Sequence, residues 1–197
     1  FETFFTAANF LQYSDQLSVV RAESGATNAV ASGTAFIIRD DDHYEDSFAN
    51  GEASVGEWAA RTAGTHGNSV GVSICATATA YEELAKTTLS GEEAKGQTVI
   101  SLTSTVGFNV HDIVNFGEAL GFEYQVTTVD TPASTITVIL KDDPAGAGLQ
   151  SVIASGTNVR RRWRFYDLFD AAPGTSEYAT ENKRGTGDEM HIVVFDF

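Results

Sequence analysis

Three things that often narrow a protein's function are scarce in this chain: cysteine, positive charge and long apolar runs. Cys75 is the single cysteine in 197 residues, which leaves no intrachain disulfide framework and no cysteine-based metal cluster. Only 12 Lys and Arg stand against 27 Asp and Glu, for a net charge of −15. Affinity for nucleic acid or an anionic membrane is mostly cation-driven, so direct nucleic-acid binding is not expected. No apolar stretch approaches the roughly 18 residues of a membrane span, so no membrane insertion is expected either. There is no N-x-S/T sequon, and Phe1-Glu2-Thr3 resembles neither an initiator nor a signal peptide. The chain closes on the apolar run His191 to Phe197. Both ends therefore read as cut, and the chain is expected to be an internal piece of a larger protein.

What remains is an ordinary soluble composition, 42% apolar. A chain of this length makes one domain, or one with a small inserted module, and can bury about 70% of its unfolded surface. Phe1, Phe4, Phe5, Ala8 and Leu11 share one helical face, which fades near Ser14-Asp15. Leu17 to Ala22 reads as a buried strand, Ser24 to Gly33 as a turn-rich stretch and Ala35 to Ile38 as a short strand. The acidic run Asp40 to Asp46 is expected to be a solvated loop and Val55 to Ala63 a short helix, before a strand from Ser69 to Cys75.

From about Gln97 the apolar period becomes two. Thr98 to Leu102, Ile113 to Phe116, Tyr124 to Val129 and Thr135 to Leu140 are short β-rich runs parted by Gly, Asp or Pro turns, a spacing that suits a small antiparallel barrel or sandwich. Its expected core is Val99, Leu102, Phe108, Val110, Val114, Phe116, Tyr124, Val126, Val129, Ile136, Val138 and Leu140. Ala171 to Gly187 reads as a long surface loop, and His191 to Phe197 as a strand. The fold class is thus α+β: a mixed sheet with flanking helices, plus an inserted antiparallel β-barrel or sandwich. The expected division is 1–87 with 168–197 as the main domain and 88–167 as the insertion. Val70 to Cys75 and His191 to Phe197 are expected to be neighbours in one sheet.

Few constellations carry chemistry. Gly67-Asn68-Ser69-Val70-Gly71 matches G-x-S-x-G, but it opens a strand instead of ending one, and the late histidine, His191, lies within a strand. Its glycines are read as serving backbone geometry, and no catalytic residue is assigned. Asp40, Asp41, Asp42, Glu45 and Asp46 offer oxygen ligands suited to a hard cation, yet lack the spaced frame of a calcium loop and read as a solvated acidic surface. His43, His66, His111 and His191 include no pair at metal-ligand spacing, so no metal is assigned. Ala172-Pro-Gly-Thr-Ser176 lacks the lysine and following helix of a phosphate loop. Arg160, Arg161, Arg162 and Arg164, interleaved with Trp163, Phe165 and Tyr166, form the one basic patch. Strand alternation puts Arg160, Arg162 and Arg164 on one side and Arg161, Trp163 and Phe165 on the other, as on an edge strand with one partly buried side. In so acidic a chain these arginines are expected to meet carboxylates of their own or a neighbouring subunit. With Asp40, Asp41 and Asp42, they are the candidate intersubunit contacts.

Four stretches, in this order, resemble the contractile tail sheath proteins of T4-like bacteriophages, in particular the marine cyanophage-type branch. Phe10-Leu-Gln-Tyr-Ser-Asp-Gln-Leu-Ser-Val-Val-Arg21 resembles the helix-to-strand segment that ends in V-V-R. Ala35-Phe-Ile-Ile-Arg-Asp40 with His43-Tyr-Glu-Asp-Ser47 resembles the region that follows it. Glu57-Trp-Ala-Ala-Arg-Thr-Ala-Gly64 with Gly67-Asn-Ser-Val-Gly-Val-Ser73 resembles the family's A-R-x-P-G-x-x-G-N-x-L-x-V-S signature, with Ala63 where that pattern carries proline. Ala172-Pro-Gly-Thr-Ser176 with Asp188-Glu-Met-His-Ile-Val-Val-Phe-Asp196 resembles A-P-G-T-S…D-E-x-H-[IV]-V-V-x-D. About half the chain is covered; residues 88 to 167 lie outside the shared signature.

The resemblance implies a structural protein with no enzymatic activity and no cofactor. Its subunits would assemble as rings, hexameric in the family, stacked around a tail tube protein, and would rearrange on contraction to drive the tube through the host envelope. Terminal arms would link neighbours, and the protein would belong to the virion tail, assembled in the bacterial host cytoplasm. Two other classes stay open: a virion surface β module that binds a receptor or glycan, and a serine hydrolase built on Ser69.

Overall fold

The computed structural model describes residues 2–13, 25–48, 56–143 and 145–196. The chain forms two compact units, one of residues 1–71 with 196–197 and one of residues 72–195. The expected strand Leu17 to Ala22 lies outside the described residues.

In the smaller unit, helix α1 spans Glu2–Leu11, close to the length its apolar spacing predicts. The acidic run is not a loop: α2 occupies Asp41–Phe48. Asp40 starts it, its carboxylate accepting the His43 backbone N–H at 2.7 Å and its carbonyl the Tyr44 N–H at 3.1 Å. Asp41 and Asp42 then sit in the first turn, where carboxylates favour the positive end of the helix dipole. Ala35 to Ile38 contributes only a bridge from Phe36 to Asn28, and residues 56–63 are not helical. The reason is Asn28, which is fully buried. Its amide donates to the carbonyls of Ala60 at 2.8 Å and Arg61 at 3.0 Å, and its oxygen accepts the Ile38 N–H at 2.7 Å. Backbone bonds Ala31 N–H to Trp58, Ala60 N–H to Ala29 and Gly64 N–H to Thr27 then hold the later segment extended beside the earlier one.

The larger unit holds most of β1 (Val70–Cys75) and of β8 (His191–Asp196), which pair as a two-stranded sheet. These segments meet as the sequence predicts, although more than a hundred residues separate them. Their apolar face is the outward one: Val70, Ile74, Ile192 and Val194 are exposed. Between them come a single turn of helix, α3 (Ala78–Tyr81), and a six-stranded antiparallel sheet. Its strands are β2 (Glu82–Thr88), β3 (Val99–Ser101), β4 (Ile113–Asn115), β5 (Tyr124–Asp130), β6 (Thr135–Leu140) and β7 (Asn158–Arg162). The spatial order is β2-β7-β4-β5-β6-β3. A bridge between Leu89 and Leu102, just beyond β2 and β3, links the two outermost strands. β7 is therefore an interior strand, not the edge strand that its arginines suggested.

The core of this sheet gathers Leu89, Ile100, Leu102, Phe108, Val114, Phe116, Tyr124, Val126, Ile136, Val138, Leu149, Ile153 and Val159. Eight of the twelve residues expected from the sequence are in it, and Val129 and Leu140 pack partly against it. Val99 and Val110 are not, being 47% exposed each. The inward residues here are Ile100 in β3 and Leu102 just after it; residue 99 faces the other way because side chains alternate along a strand. The stretch Ala171 to Gly187 also departs from a plain loop, since α4 occupies Glu177–Asn182. Ser176 caps it, its hydroxyl accepting the Ala179 N–H at 3.1 Å, and Lys183 ends it in the left-handed conformation (φ 51°).

The β3 register predicts a contrast between adjacent residues. Ile100→Ala should lower the unfolding free energy by about 2–5 kcal/mol, and Val99→Ala by roughly 0.5 kcal/mol or less. Urea denaturation of the two variants checks this; equal losses would contradict the register.

Candidate functional site

The four arginines sort by face. Val159 lies in the core, so alternation along β7 carries Arg161 inward with it and Arg160 and Arg162 outward. Arg161 is 6% exposed. Its Nε donates to Glu83 at 3.3 Å and its Nη1 to Asp112 at 3.3 Å, while Nη2 donates to the carbonyls of Thr79 and Ala80 at 3.1 and 3.0 Å. One guanidinium thus ties β7 to β2, to the loop before β4 and to α3. Lys86 pairs with the same Glu83 at 2.8 Å.

On the outer face the charges alternate in sign from β2 and β7 to the residues just before β5 and just after β6. Glu82 of β2 pairs with both Arg160 and Arg162, Arg162 pairs with Glu123, and Lys141 stands 3.8 Å from Glu123 and 3.4 Å from Asp167. Tyr166 donates its hydroxyl to Glu123 at 2.6 Å, and Arg162 lies over its ring at 4.7 Å. Arg160, Arg161 and Arg162 are thus all engaged by carboxylates of their own chain. Arg164 differs: it lies over the rings of Phe165 and Phe195, 4.8 Å from each. Among the described residues its guanidinium has no carboxylate or hydrogen-bond partner.

Burial sets the protonation of these groups. Desolvation alone would raise the pKa of Glu82, but the hydrogen bond and charge of Arg162, with Arg160, overcome it and leave the carboxyl below its ordinary value. Glu83 is likewise lowered, burial being overcome by Lys86 and Arg161. Asp112 goes the other way: burial raises it in spite of the Asn109 N–H and Arg161. A further buried group lies on the inner side, where Tyr124 donates to the Glu118 carboxylate, Ser151 donates to the same carboxylate at 2.7 Å, and the Gln150 N–H donates to the Tyr124 hydroxyl at 3.0 Å. Burial first, and then the bond to Glu118, push the Tyr124 phenol up.

The remaining sequence candidates have ordinary partners. The Ser69 hydroxyl donates to the His66 backbone carbonyl at 2.9 Å. Gly67 of the same motif is a packing residue: a Cβ there would lie 2.9 Å from that of Ala29 and 3.1 Å from that of Ala60. A His191 ring nitrogen is 2.8 Å from the Ala171 carbonyl, and the ring stacks on Phe169 with centroids 3.9 Å apart. Asp40 caps α2, and Asp41 pairs with Arg61 at 3.3 Å with both side chains largely exposed, an arrangement that contributes about 0–1 kcal/mol. Asp42 is exposed in the first turn of α2. No three metal-ligating side chains converge among the described residues, and no helix among them is long and apolar enough to cross a membrane.

Two arrangements were missed in the sequence. Ala172 to Ser176 and Asp188 to His191 are bonded to each other: Ser176 donates from its hydroxyl and N–H to Asp188 at 2.6 and 2.9 Å, and the Gly174 N–H donates to Glu189 at 2.9 Å. The second is a groove of about 520 Å³ on the outer face of the sheet. Ile113, Gln125 and Ile139 come from adjacent strands β4, β5 and β6; Lys141 and Asp142 line it after β6, and Arg164 and Phe165 line it after β7. Strand alternation was a signal for its floor, since Gln125 and Ile139 face away from the core residues Tyr124 and Val138. No protein-family model, curated protein or solved structure matches the chain.

The lowered pKa values fix a sign. Glu82 and Glu83 bind protons less tightly folded than unfolded, so their contribution to stability is complete above about pH 4.3 and is lost as pH falls through their folded values. Asp112 is raised, so its contribution has the opposite slope. A Glu82→Gln/Glu83→Gln variant should be less stable near neutrality and lose less stability than the parent between about pH 4.5 and 3. Urea midpoints across that range check it; parallel curves for the two proteins would contradict it.

Proposed function

We propose that this chain is part of a structural subunit of a contractile phage tail sheath, which assembles in rings around a tail tube and rearranges on contraction. The observation that carries this reading is the meeting of distant signature stretches. Val70 to Ser73 lie in β1, which pairs with β8, and the segments Ala172 to Ser176 and Asp188 to Glu189 are joined by side-chain and backbone bonds. A signature split by an insertion acquires a physical meaning if its pieces build one substructure.

On this reading residues 1–87 and 168–197 belong to the sheath domain, and residues 88–167 form an inserted module. The Leu89 to Leu102 bridge supports taking that module as curled toward a barrel, with β2 (Glu82–Thr88) carrying the sheath domain into the six-stranded sheet as an outermost strand. Homo-oligomeric contacts and the tube protein are the partners proposed, in the virion tail. Among the candidate contacts, Asp42 and Arg164 carry the most unused bonding capacity, because Arg160, Arg161 and Arg162 are already paired within the chain. The bonding of Ser69 to a backbone carbonyl supports a structural role over hydrolysis.

Expression with the coding sequence that flanks this segment tests the reading. Rings or hollow tubes should form, visible by negative-stain electron microscopy. Residues 1–197 alone, at −15 net charge, should sediment as a monomer or a weak oligomer at low salt. A longer protein that remains a monodisperse monomer under all assembly conditions would overturn it.

A further inference from the structure

The groove on the outer face of the six-stranded sheet has no role in the arrangement just described, and its chemistry is specific. Its volume of about 520 Å³ falls in the range of small-ligand sites, roughly 300–1,000 Å³. Its walls carry donors and acceptors of both kinds. Arg164 is seated over Phe165 and Phe195, which fixes the guanidinium while its N–H groups keep no protein partner among the described residues. Gln125 offers an amide donor and an amide oxygen with no side-chain partner among those residues. Asp142, 86% exposed and at the long distance of 4.0 Å from Lys141, adds a carboxylate with acceptor capacity to spare. Ile139 and Phe165 supply apolar surface beside these polar groups.

Charge and bonding eliminate the simpler ligand classes. An anion would find the Lys141 ammonium already held by Glu123, Asp142 and Asp167, and would meet the carboxylates of Asp142, Asp143 and Asp167 as well as the field of a chain at −15. A cation would meet Arg164, and the carboxylates near it are in part committed: Asp143 accepts the N–H groups of Ala145 and Ala147, and Asp167 pairs with Lys141. A purely apolar ligand would strip water from Arg164, Gln125 and Asp142 without replacing those bonds. A neutral ligand rich in hydroxyls satisfies every one of these groups. Hydroxyl oxygens accept from Arg164 and Gln125, hydroxyl hydrogens go to Asp142 and to the Gln125 oxygen, and C–H faces lie on Ile139 and Phe165.

We propose that this groove is a binding site for a neutral saccharide. The proposal rests on the groove alone and stands whether or not the chain belongs to a tail sheath.

Saturation-transfer NMR on the 197-residue chain tests it, with maltose, cellobiose, lactose and N,N′-diacetylchitobiose as neutral probes. Sialyllactose and trilysine serve as the anionic and cationic probes. At least one neutral disaccharide should bind, more tightly than either charged probe. Arg164→Ala and Gln125→Ala should each weaken it by about tenfold. Asp142→Gly, at an exposed side chain whose left-handed backbone (φ 63°) glycine adopts without strain, should weaken it by at least a few fold, so the test does not depend on variants that touch packing. Absence of transfer to all four neutral probes would overturn the proposal. So would preference for a charged probe, or affinities unchanged in Gln125→Ala and Asp142→Gly.

Discussion

The larger unit depends on what happens to one buried positive charge. Arg161 projects from an interior strand toward the core side of the sheet, where a guanidinium is costly unless each of its donors is used. Here Nε and both terminal nitrogens are engaged, by two carboxylates from different strands or loops and by two carbonyls of α3. That requirement fixes β2 beside β7, and the approach to β4 beside both. It also explains why a single turn of helix is held in place between β1 and the sheet. Trp163, two residues on, continues the same face: its indole N–H donates to Ser73 of β1 at 2.8 Å. Arg161 in β7 and Trp163 just after it thus connect the six-stranded sheet with the β1–β8 pair from alternate positions on one side of the chain.

The outer face follows a different rule. Its charged residues lie at partly exposed positions; Arg162 and Lys141 each sit between two carboxylates and Arg160 meets Glu82, so the repulsion expected of an acidic chain is relieved locally. Arg164 interrupts the pattern by resting on aromatic rings, which leaves a fixed donor beside a groove with no matching acceptor from the protein. A contact with a sugar or with another subunit would use that same donor, so occupancy of the groove and burial of Arg164 in an assembly would compete.

Much of the β region was legible because its strands alternate cleanly. In Tyr124-Gln-Val and Ile136-Thr-Val the inward residues are unambiguous, and both strands occur where the period of two places them. Val99-Ile100-Ser101-Leu102 has apolar residues on both phases, and there the wrong phase was taken in part. Leu89, Leu149, Ile153 and Val159 were missed for another reason: they sit in stretches dominated by polar, glycine or arginine neighbours, and only tertiary contact brings them inward. The acidic helix α2 was hidden by its composition, since the Asp residues that suggest a loop also make a favourable first turn. The extended conformation of residues 56–63 depends on Asn28, some thirty residues away. As for the candidate site, strand alternation separated the arginines by face, but their partners and the groove depended on strand order, which no local pattern carries.

The central claim, that paired burial of Arg161 organises the larger unit, is tested most directly by a double-mutant cycle with Asp112. Arg161→Met alone should cost about 3–5 kcal/mol in urea denaturation, because it strands Asp112 without its counter-ion. Adding Asp112→Asn should cost clearly less than the sum of the two single changes, since Asp112 then carries no charge and Glu83 keeps Lys86 as its partner. Additive losses, or a loss below about 1 kcal/mol for Arg161→Met, would place the pair among ordinary surface ion pairs and contradict the account.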